Sequence, residues 1–509
     1  MFAATSNLRL LENIDITNDY INTFSFVSEG SQSSFFISKT KAGRVYNDFV
    51  FIRKDNSIKV PVNIESLWNV SYLMFQNNNF GLKWFYGFIT DMRYLNDETT
   101  EIFFEIDVLQ TWYFEMDIKD SFIEREHVDD DTLFLHKIQE NLNIGETIVR
   151  TEENVSELEE RSIVVASTFN NDPPTYSDYF GHVVGGIYSG LAYLPWREQF
   201  FLSLGLFLDN LNSAGKIDGI NSIFYMPSYF LGDFPQGVAL ELEEPITLEK
   251  SVPKNTVDLD GYIPKNNKVF TFPYNYLQVS NYNGTTKIYK YEYSDLSTMD
   301  FNINCNINPN PTLLLTPQSY KGDNINYTES ISTQGYPLCT WINDVYANWL
   351  AQNVVSAPLS VVSSGLALGV GIATMNPIAI AGGAIGVANS IGGFIEKSVV
   401  PDQARGNNNG NVNTAINNVN FSFQRTTITN EYAKIIDNYF DKFGYKVNVL
   451  KTPNLTNRTN WNYIKMREAN IFGNIPNKDL KKIHEIFNDG LTYWHNDNVG
   501  NYDRFNPII

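Results

Sequence analysis

From Tyr72 to Phe122 the pattern of apolar and polar positions is strand-like. In the stretch TEIFFEIDV, Ile102, Phe104, Ile106 and Val108 fall on one face and Glu101, Phe103, Glu105 and Asp107 on the other, the period of a half-buried strand. The aromatic run KWFYGFITDMRYL precedes it, and the short polar linker NDET between the two predicts an antiparallel hairpin. The rhythm then changes. GLAYLPW and SIFYMP read as strands on either side of a largely apolar helix, REQFFLSLGLFLDNLNSAG, ending near Gly215: a small α/β module. Further on, Asn283-Gly284 separates two alternating runs and predicts a hairpin closed by a two-residue type I′ turn. After Thr426 the pattern becomes helical. Thr429 or Asn430 can cap a helix with Ile435, Ile436, Tyr439, Phe440 and Phe443 as its apolar stripe and Gly444 at its C-terminal cap. YKVNVL and WNYIKM follow as strands, and a second helix opens at Pro476-Asn477, carries Leu480, Ile483 and Phe487 on one face and stops at Gly490. This α-β-β-α tail has no core large enough to stand alone, so it is expected to pack on the N-terminal sheet.

One stretch fits none of these periods. No charged side chain occurs between Asp344 and Glu396, a gap far longer than the roughly 20 apolar residues that cross a bilayer. Asn376-Pro377 divides it into arms Leu359–Met375 and Ile378–Ile395, each about 26 Å long if helical. Gly365, Gly369 and Ala373 on one arm, and Gly382 and Gly386 followed by Ala388 and Gly392 on the other, are small residues at the spacing that lets helix backbones approach closely. The arms are rich in Gly, Ala, Ser and Asn, so they enter lipid less readily than a Leu-rich anchor. A buried pair of core helices or a surface loop also fits this composition. The asparagine- and glycine-rich run Asp402–Asn420 that follows reads as a tether and favours an excursion over a packed core.

Composition narrows the function classes. At 509 residues, 43% hydrophobic and 14% aromatic, the chain is ordered and long enough for several domains. Its formal charge of -20 argues against a nucleic-acid-binding surface, which needs clustered Lys and Arg. The acidic stretch from Asp129–Asp131 to TEENVSELEER reads as a boundary or a solvated face. Two cysteines, Cys305 and Cys339, are too few for a disulfide framework or a zinc knuckle. The start MFAATSNLRL has no basic residues ahead of an apolar run, so no signal peptide is expected and synthesis is placed in a cytosol.

The five histidines lack metal-site spacing: His127 and His136 lie in the acidic stretch, and His484 and His495 are far apart. HEIFND lacks the second histidine of a zincin, and neither a P-loop nor a nucleophile elbow occurs. The reading is of no enzyme, no cofactor and no metal. The rival classes are a pore-forming toxin-like protein and a cell-wall hydrolase working through a carboxylate pair.

Several strings carry a family resemblance: NDYINT at Asn18–Thr23, YLMFQNNNFGLKWFYGFIT at Tyr72–Thr90, FEIDVLQTW and SFIEREHV between Phe104 and Val128, FPYNYLQVSNYNG, FGYKVN with KTPNLTNR, and IFNDGLTYWHNDNVGNY ending at Tyr502. With these the chain resembles the distal tail tube, or tail knob, proteins of small short-tailed phages of the picovirus type that infect Gram-positive bacteria. The likeness covers both ends well and the middle in patches, and Asp129–Lys268 departs from the pattern in being short.

The resemblance implies a mixed, β-rich α+β fold, with β-barrel tube-forming domains drawn from both chain ends, inserted distal domains and a long apolar loop. On the sequence this maps as 1–128 for the N-terminal part of the tube wall, 129–268 for an inserted α/β module with the acidic excursion, 269–345 for a hairpin-rich β segment, 346–425 for the apolar loop and its tether, and 426–509 for the C-terminal part of the wall. It further implies a virion protein of the tail tip, a homo-hexamer in contact with upstream tail and knob proteins, with phage DNA passing through its lumen without specific binding. Six copies would bring on the order of a hundred negative charges, and an acidic lumen would let DNA slide. At genome ejection the apolar loop would enter the host cell membrane. The membrane-inserting positions are then Leu359, Val361, Val362, Gly365, Leu366, Leu368, Gly369, Val370, Ile372, Met375, Pro377, Ile378, Ile380, Gly382, Ile385, Gly386, Val387, Ile391, Phe394 and Ile395.

Overall fold

The structure is a computed structural model that describes residues 6–47, 49–52, 56–77, 81–321, 329–336, 338–340 and 419–509. It is β-rich α+β, and the chain divides into two compact units. The first takes Met1–Gly145, Gly261–Thr271 and Asn430–Ile509, and the second takes Glu146–Asp260 and Phe272–Thr429.

The first unit is organised by a seven-stranded antiparallel sheet. Its strands are β1 (Ser6–Glu12), β2 (Thr40–Tyr46), β3 (Val50–Ile52), β4 (Ser57–Val60), β5 (Val70–Asn77), β6 (Trp84–Asn96) and β7 (Thr99–Ile106), in the order β2-β1-β5-β6-β7-β4-β3. Laid flat, the two edge strands would stand about 29 Å apart at the usual strand spacing. Yet β2 runs into β3 through residues 47–49 alone, a reach of at most about 15 Å. The sheet therefore curls into an incomplete barrel, with no ladder joining β2 to β3 among the described residues.

Side chains two apart on each strand fill the inside: Leu8 and Leu10, Ile58 and Val60, Leu73 and Phe75, Ile102 and Phe104, all buried. The outside is covered as well. Tyr72, Met74, Tyr86 and Phe88 pack with Phe36 of the helix Glu29–Ser38 and with Ile464, Met466, Ile483 and Phe487 from the C-terminal segment. Burial on both faces explains why β5 reads YLMF without alternation, whereas β7 alternates. Each such side chain contributes about 1.5–3 kcal/mol.

The C-terminal elements have no sheet of their own. A five-stranded sheet interleaves Asn22–Phe24 and Ser121–Glu126 with Tyr445–Lys451, Trp461–Arg467 and Leu491–Trp494, and Asn22–Phe24 lies parallel to Leu491–Trp494. Gly444, at φ +63°, ends the helix Asn430–Phe443, and a Cβ there would run into the Glu126 carbonyl, so only glycine fits the turn.

Three local expectations are corrected. Val108 does not continue the strand of Ile102 and Phe104: β7 stops at Ile106, and Asp107 caps a short helix, Val108–Trp112, by accepting from the backbone N–H groups of Leu109 and Gln110. In the helix Asn430–Phe443 the buried stripe is Ala433, Ile436, Asp437 and Phe440, while Ile435 is 57% exposed. Asp437 can be buried because its carboxylate accepts from the Tyr262 hydroxyl at 2.7 Å, from the backbone N–H groups of Lys265 and Asn266 at 2.8 and 3.0 Å, and from the Asn266 amide at 2.8 Å.

The third correction is the Asn283-Gly284 hairpin. Its loop is longer than two residues, and Tyr282 and Gly284, not Asn283 and Gly284, hold positive φ. The Asn281 side chain closes the loop by accepting from the backbone N–H groups of Asn283 and Thr285, a side-chain turn that displaces the expected type I′ geometry.

Among its described residues the second unit contains three four-stranded sheets and a short hairpin. One sheet holds Ala192–Arg197, Arg161–Ser167, Ile220–Pro227 and Leu338–Thr340, with the helix Phe201–Ser213 against it. Another holds Thr247–Pro253, Thr298–Cys305, Thr312–Pro317 and Ile331–Gln334. The third consists of β8 (Thr147–Asn154), β9 (Asn275–Ser280), β10 (Thr286–Tyr289) and β11 (Ser422–Ile428), in the order β8-β11-β9-β10.

Candidate functional site

All of the positions expected to enter lipid, Leu359 to Ile395, lie outside the described residues. What the structure supplies is the pair of strands from which that part of the chain departs and to which it returns. On the departing side, Leu338–Thr340 pairs with Phe224, Ile223 and Ser222, forming the edge of its sheet. On the returning side the chain enters β11, an inner strand with a ladder on each flank: seven residues paired with β8 and six with β9.

Asn420, the last residue of the asparagine-rich run, is the lock on the returning side. It is 1% exposed, and its side chain spans the Val155 backbone: Oδ1 accepts from the Val155 N–H at 3.1 Å and Nδ2 donates to the Val155 carbonyl at 2.9 Å. The amide copies a strand pairing one residue beyond the end of the ladder. Phe421 and Phe423 follow, fully buried, and the Phe423 ring packs on Phe301 at 5.2 Å. Charged groups brace the same strand. Arg425 pairs with Glu153 at 3.2 Å, and the Glu152 carboxyl is held below its usual range by hydrogen bonds from Ser422, Gln424 and Tyr282. Nothing in composition marks Asn420 out from the asparagines before it; only the aromatic pair two and four positions before Arg425 signals that packed strand has resumed.

Most acidic side chains of the stretch from Asp129 to Glu160 are exposed, but two depart from that solvated face. Glu140 is buried, where it accepts from Lys268 Nζ at 2.7 Å, from the Lys446 N–H at 2.8 Å and from the Arg125 guanidinium. Asp131 accepts from the Tyr445 hydroxyl at 2.6 Å and the Asn267 N–H at 3.0 Å. These carboxylates gather β-strand, helix and connecting segments of the first unit into one ionic knot, and burial pulls the Lys268 ammonium below its ordinary pKa.

His127 is likewise a packing residue. Its Nδ1 accepts from the Tyr463 N–H at 2.7 Å, its Nε2 faces the Asp441 carbonyl at 3.1 Å, and burial pushes its pKa down to about 3. It is therefore a neutral ring with the proton on Nε2. Cys305 is a buried free thiol whose pKa burial raises to about 12. Among the described residues no three His, Cys, Asp or Glu side chains converge as metal ligands, and no helix is long and apolar enough to cross a membrane.

Residues 241–507 match the model of the C-terminal domain of the tail knob protein gp9 of Bacillus phage phi29, more than half of the chain. The chain belongs to this tail knob family. Residues 4–119, which contain the whole seven-stranded sheet, match the model of the caudoviral major tail protein N-terminus. Tail knob protein gp9 of Bacillus phage PZA is 27% identical over 99% of this chain and 98% of its own length, and that of phage phi29 is 26% identical over the same shares. The solved tail knob protein gp12 of bacteriophage C1 shares the fold, with a TM-score of 0.67 at 14% identity, over 99% of this chain and 100% of its own. The chain is thus a structural component of a podovirus-type virion tail, in a non-enzymatic family.

Proposed function

We propose that the chain assembles as a homo-hexameric ring forming the distal tube of the tail, with contacts to upstream tail and knob proteins, that phage DNA passes through its lumen without specific binding, and that within residues 346–425 the apolar stretch Leu359–Ile395 is a membrane-active loop which enters the host cell membrane at genome ejection. The observation that carries this reading is the charge-free stretch between Asp344 and Glu396, set in an acidic tail protein and held at its return by a buried side-chain lock and an inner strand. Such a stretch is long enough to span a bilayer twice. Membership of a non-enzymatic tail family weighs against the cell-wall hydrolase, and against a secreted toxin.

Leakage of dye-loaded vesicles across a range of pH tests the membrane step. Intact protein is expected to release dye, and Gly365→Leu combined with Gly386→Leu to bind vesicles yet release less, because bulk at these positions separates helices while adding apolarity. Equal leakage from a chain lacking Leu359–Ile395 would overturn the assignment.

A further inference from the structure

Two cavities open side by side on the first unit, and one of them holds buried polar groups that the chain itself leaves unused. The first, about 320 Å³, lies between the helix Glu29–Ser38, the start of β6 and the short helix Val108–Trp112. Tyr86 lines it while only 2% exposed. Its ring packs on Phe36 at 4.6 Å and its backbone N–H donates to Thr111 Oγ1 at 3.1 Å, but its hydroxyl makes no hydrogen bond to any described residue. Burial and the nearby Glu29 carboxylate raise its pKa, so the hydroxyl keeps its proton and remains a donor. Gln32, 4% exposed, lines the same cavity. Its Nε2 donates to the Gln110 carbonyl at 2.8 Å and to Gln110 Oε1 at 2.9 Å, which spends the amide's donors and leaves Oε1 as a spare acceptor. Polar groups buried this deeply cost stability until something pairs with them.

The second cavity, about 530 Å³, lies across the Lys83–Glu115 ion pair, whose two residues line both. Lys83 Nζ sits 3.5 Å from the centre of the Trp112 ring, and Trp112 Nε1 donates to Asp479 at 2.9 Å, which fixes the plane of the indole. Phe85 and Pro476 add apolar wall.

The lining selects the chemistry of a ligand. An anion would meet the carboxylates of Glu29 and Glu115, and a cation would meet the Lys83 ammonium already seated over Trp112. What is on offer is a hydroxyl donor, an amide acceptor and, at the rim, the 36% exposed ring of Phe114, whose face attracts the C–H edges of a ligand. A ring with hydroxyl groups around its edge and C–H groups on its face satisfies all three. We propose that the first cavity binds one ring of an uncharged saccharide, with the Tyr86 hydroxyl and Gln32 Oε1 bonded to its hydroxyl groups and Phe114 against its C–H face, and that a second ring continues past Lys83 into the second cavity. Cavities of a few hundred Å³ lined by aromatic rings and a few placed polar groups are of the size and kind that hold such ligands. The proposal stands apart from the assembly and membrane readings and needs neither.

Saturation-transfer NMR and titration calorimetry on the full-length chain test it, with N,N′-diacetylchitobiose, cellobiose and maltose as probes and choline and glycerol phosphate as charged comparisons. At least one disaccharide is expected to bind with a Kd of about 1 mM or below, and both charged molecules at least about tenfold more weakly. Tyr86→Phe is the deciding variant. It breaks no hydrogen bond within the described chain, so the melting temperature should hold or rise while saccharide affinity falls at least about fivefold. Phe114→Ala, at an exposed position, should weaken binding to a similar degree without unfolding the chain. Absence of binding by all three disaccharides at about 20 mM, or binding that neither variant changes, would overturn the site. Tighter binding of choline or glycerol phosphate would overturn the ligand class.

Discussion

Two buried ionisable residues set the pH response of the first unit in opposite senses. His127 has a folded pKa of about 3, well below its unfolded value, so the folded chain binds fewer protons. Its stabilising contribution is complete above about pH 6.5 and falls by about 1.4 kcal/mol per pH unit as pH drops towards 3. Asp107 works against it. Burial raises its pKa to about 6, so its contribution is complete below its unfolded value and is lost as pH rises through 6. Between about pH 4 and 6 the two slopes offset each other, which a single melting curve would conceal. The informative quantity is the stability difference between wild type and His127→Gln, which is expected to shrink by about 1.4 kcal/mol per unit from pH 6.5 to 3. A constant difference across that range would show that the ring does not remain neutral in the folded chain. Glu140→Gln makes a second residue-scale prediction, for it strands the Lys268 and Arg125 charges in the interior. Thermal melting at neutral pH should show a loss of about 3–5 kcal/mol.

Among the elements, those with a strong period were legible in the sequence. The strand Thr99–Ile106 and the helix Asn477–Asp489 follow directly from spacing, because one face of each meets a core and the other meets water. Where side chains replaced backbone in closing a turn or capping a helix, periodicity carried no sign of it: Asn281 reset the hairpin loop, and Asp107 ended a strand two residues early. Illegible too were carboxylates buried by distant partners, since Glu140 and Asp131 differ from solvated acids only through Lys268, Asn267 and Tyr445, far away in the chain. Of the candidate site, the sequence showed the apolar stretch itself but not its mooring. Asn420→Ala tests that mooring. It removes three hydrogen bonds, including the one from the Phe421 N–H, and leaves the buried Val155 N–H unpaired while the Val155 carbonyl keeps the Leu158 N–H, at an expected cost of about 2–4 kcal/mol to the second unit. Hydrogen exchange should show β11 losing protection from its Ser422 end, and unchanged protection there would mean that the ladder alone holds the strand.

For the whole molecule, the relation between the apolar stretch and the folded units decides whether it is cargo or core. Both strands that flank it are already paired: Leu338–Thr340 with Ile220–Pro227, and β11 with strands on each side. Removing Leu359–Ile395 shortens the connection between them by roughly half. A flexible connection closed over half the length changes the closure cost by only about 0.6 kcal/mol, and in the stabilising direction. If the stretch contributes no buried side chains to either unit, melting of the deleted chain should therefore match wild type within about 1 kcal/mol, and the mass of the assembly should be unchanged. Loss of core side chains on that scale would instead cost several kcal/mol for each Leu or Ile removed, far outside that margin. The two outcomes are separated widely enough that one melting experiment distinguishes them. A deleted chain that keeps its stability and its assembly but no longer releases dye would assign the membrane step to the stretch and the architecture to the rest of the chain. A broad or lowered transition would place the stretch in a core and remove the ground for treating it as a loop held in reserve.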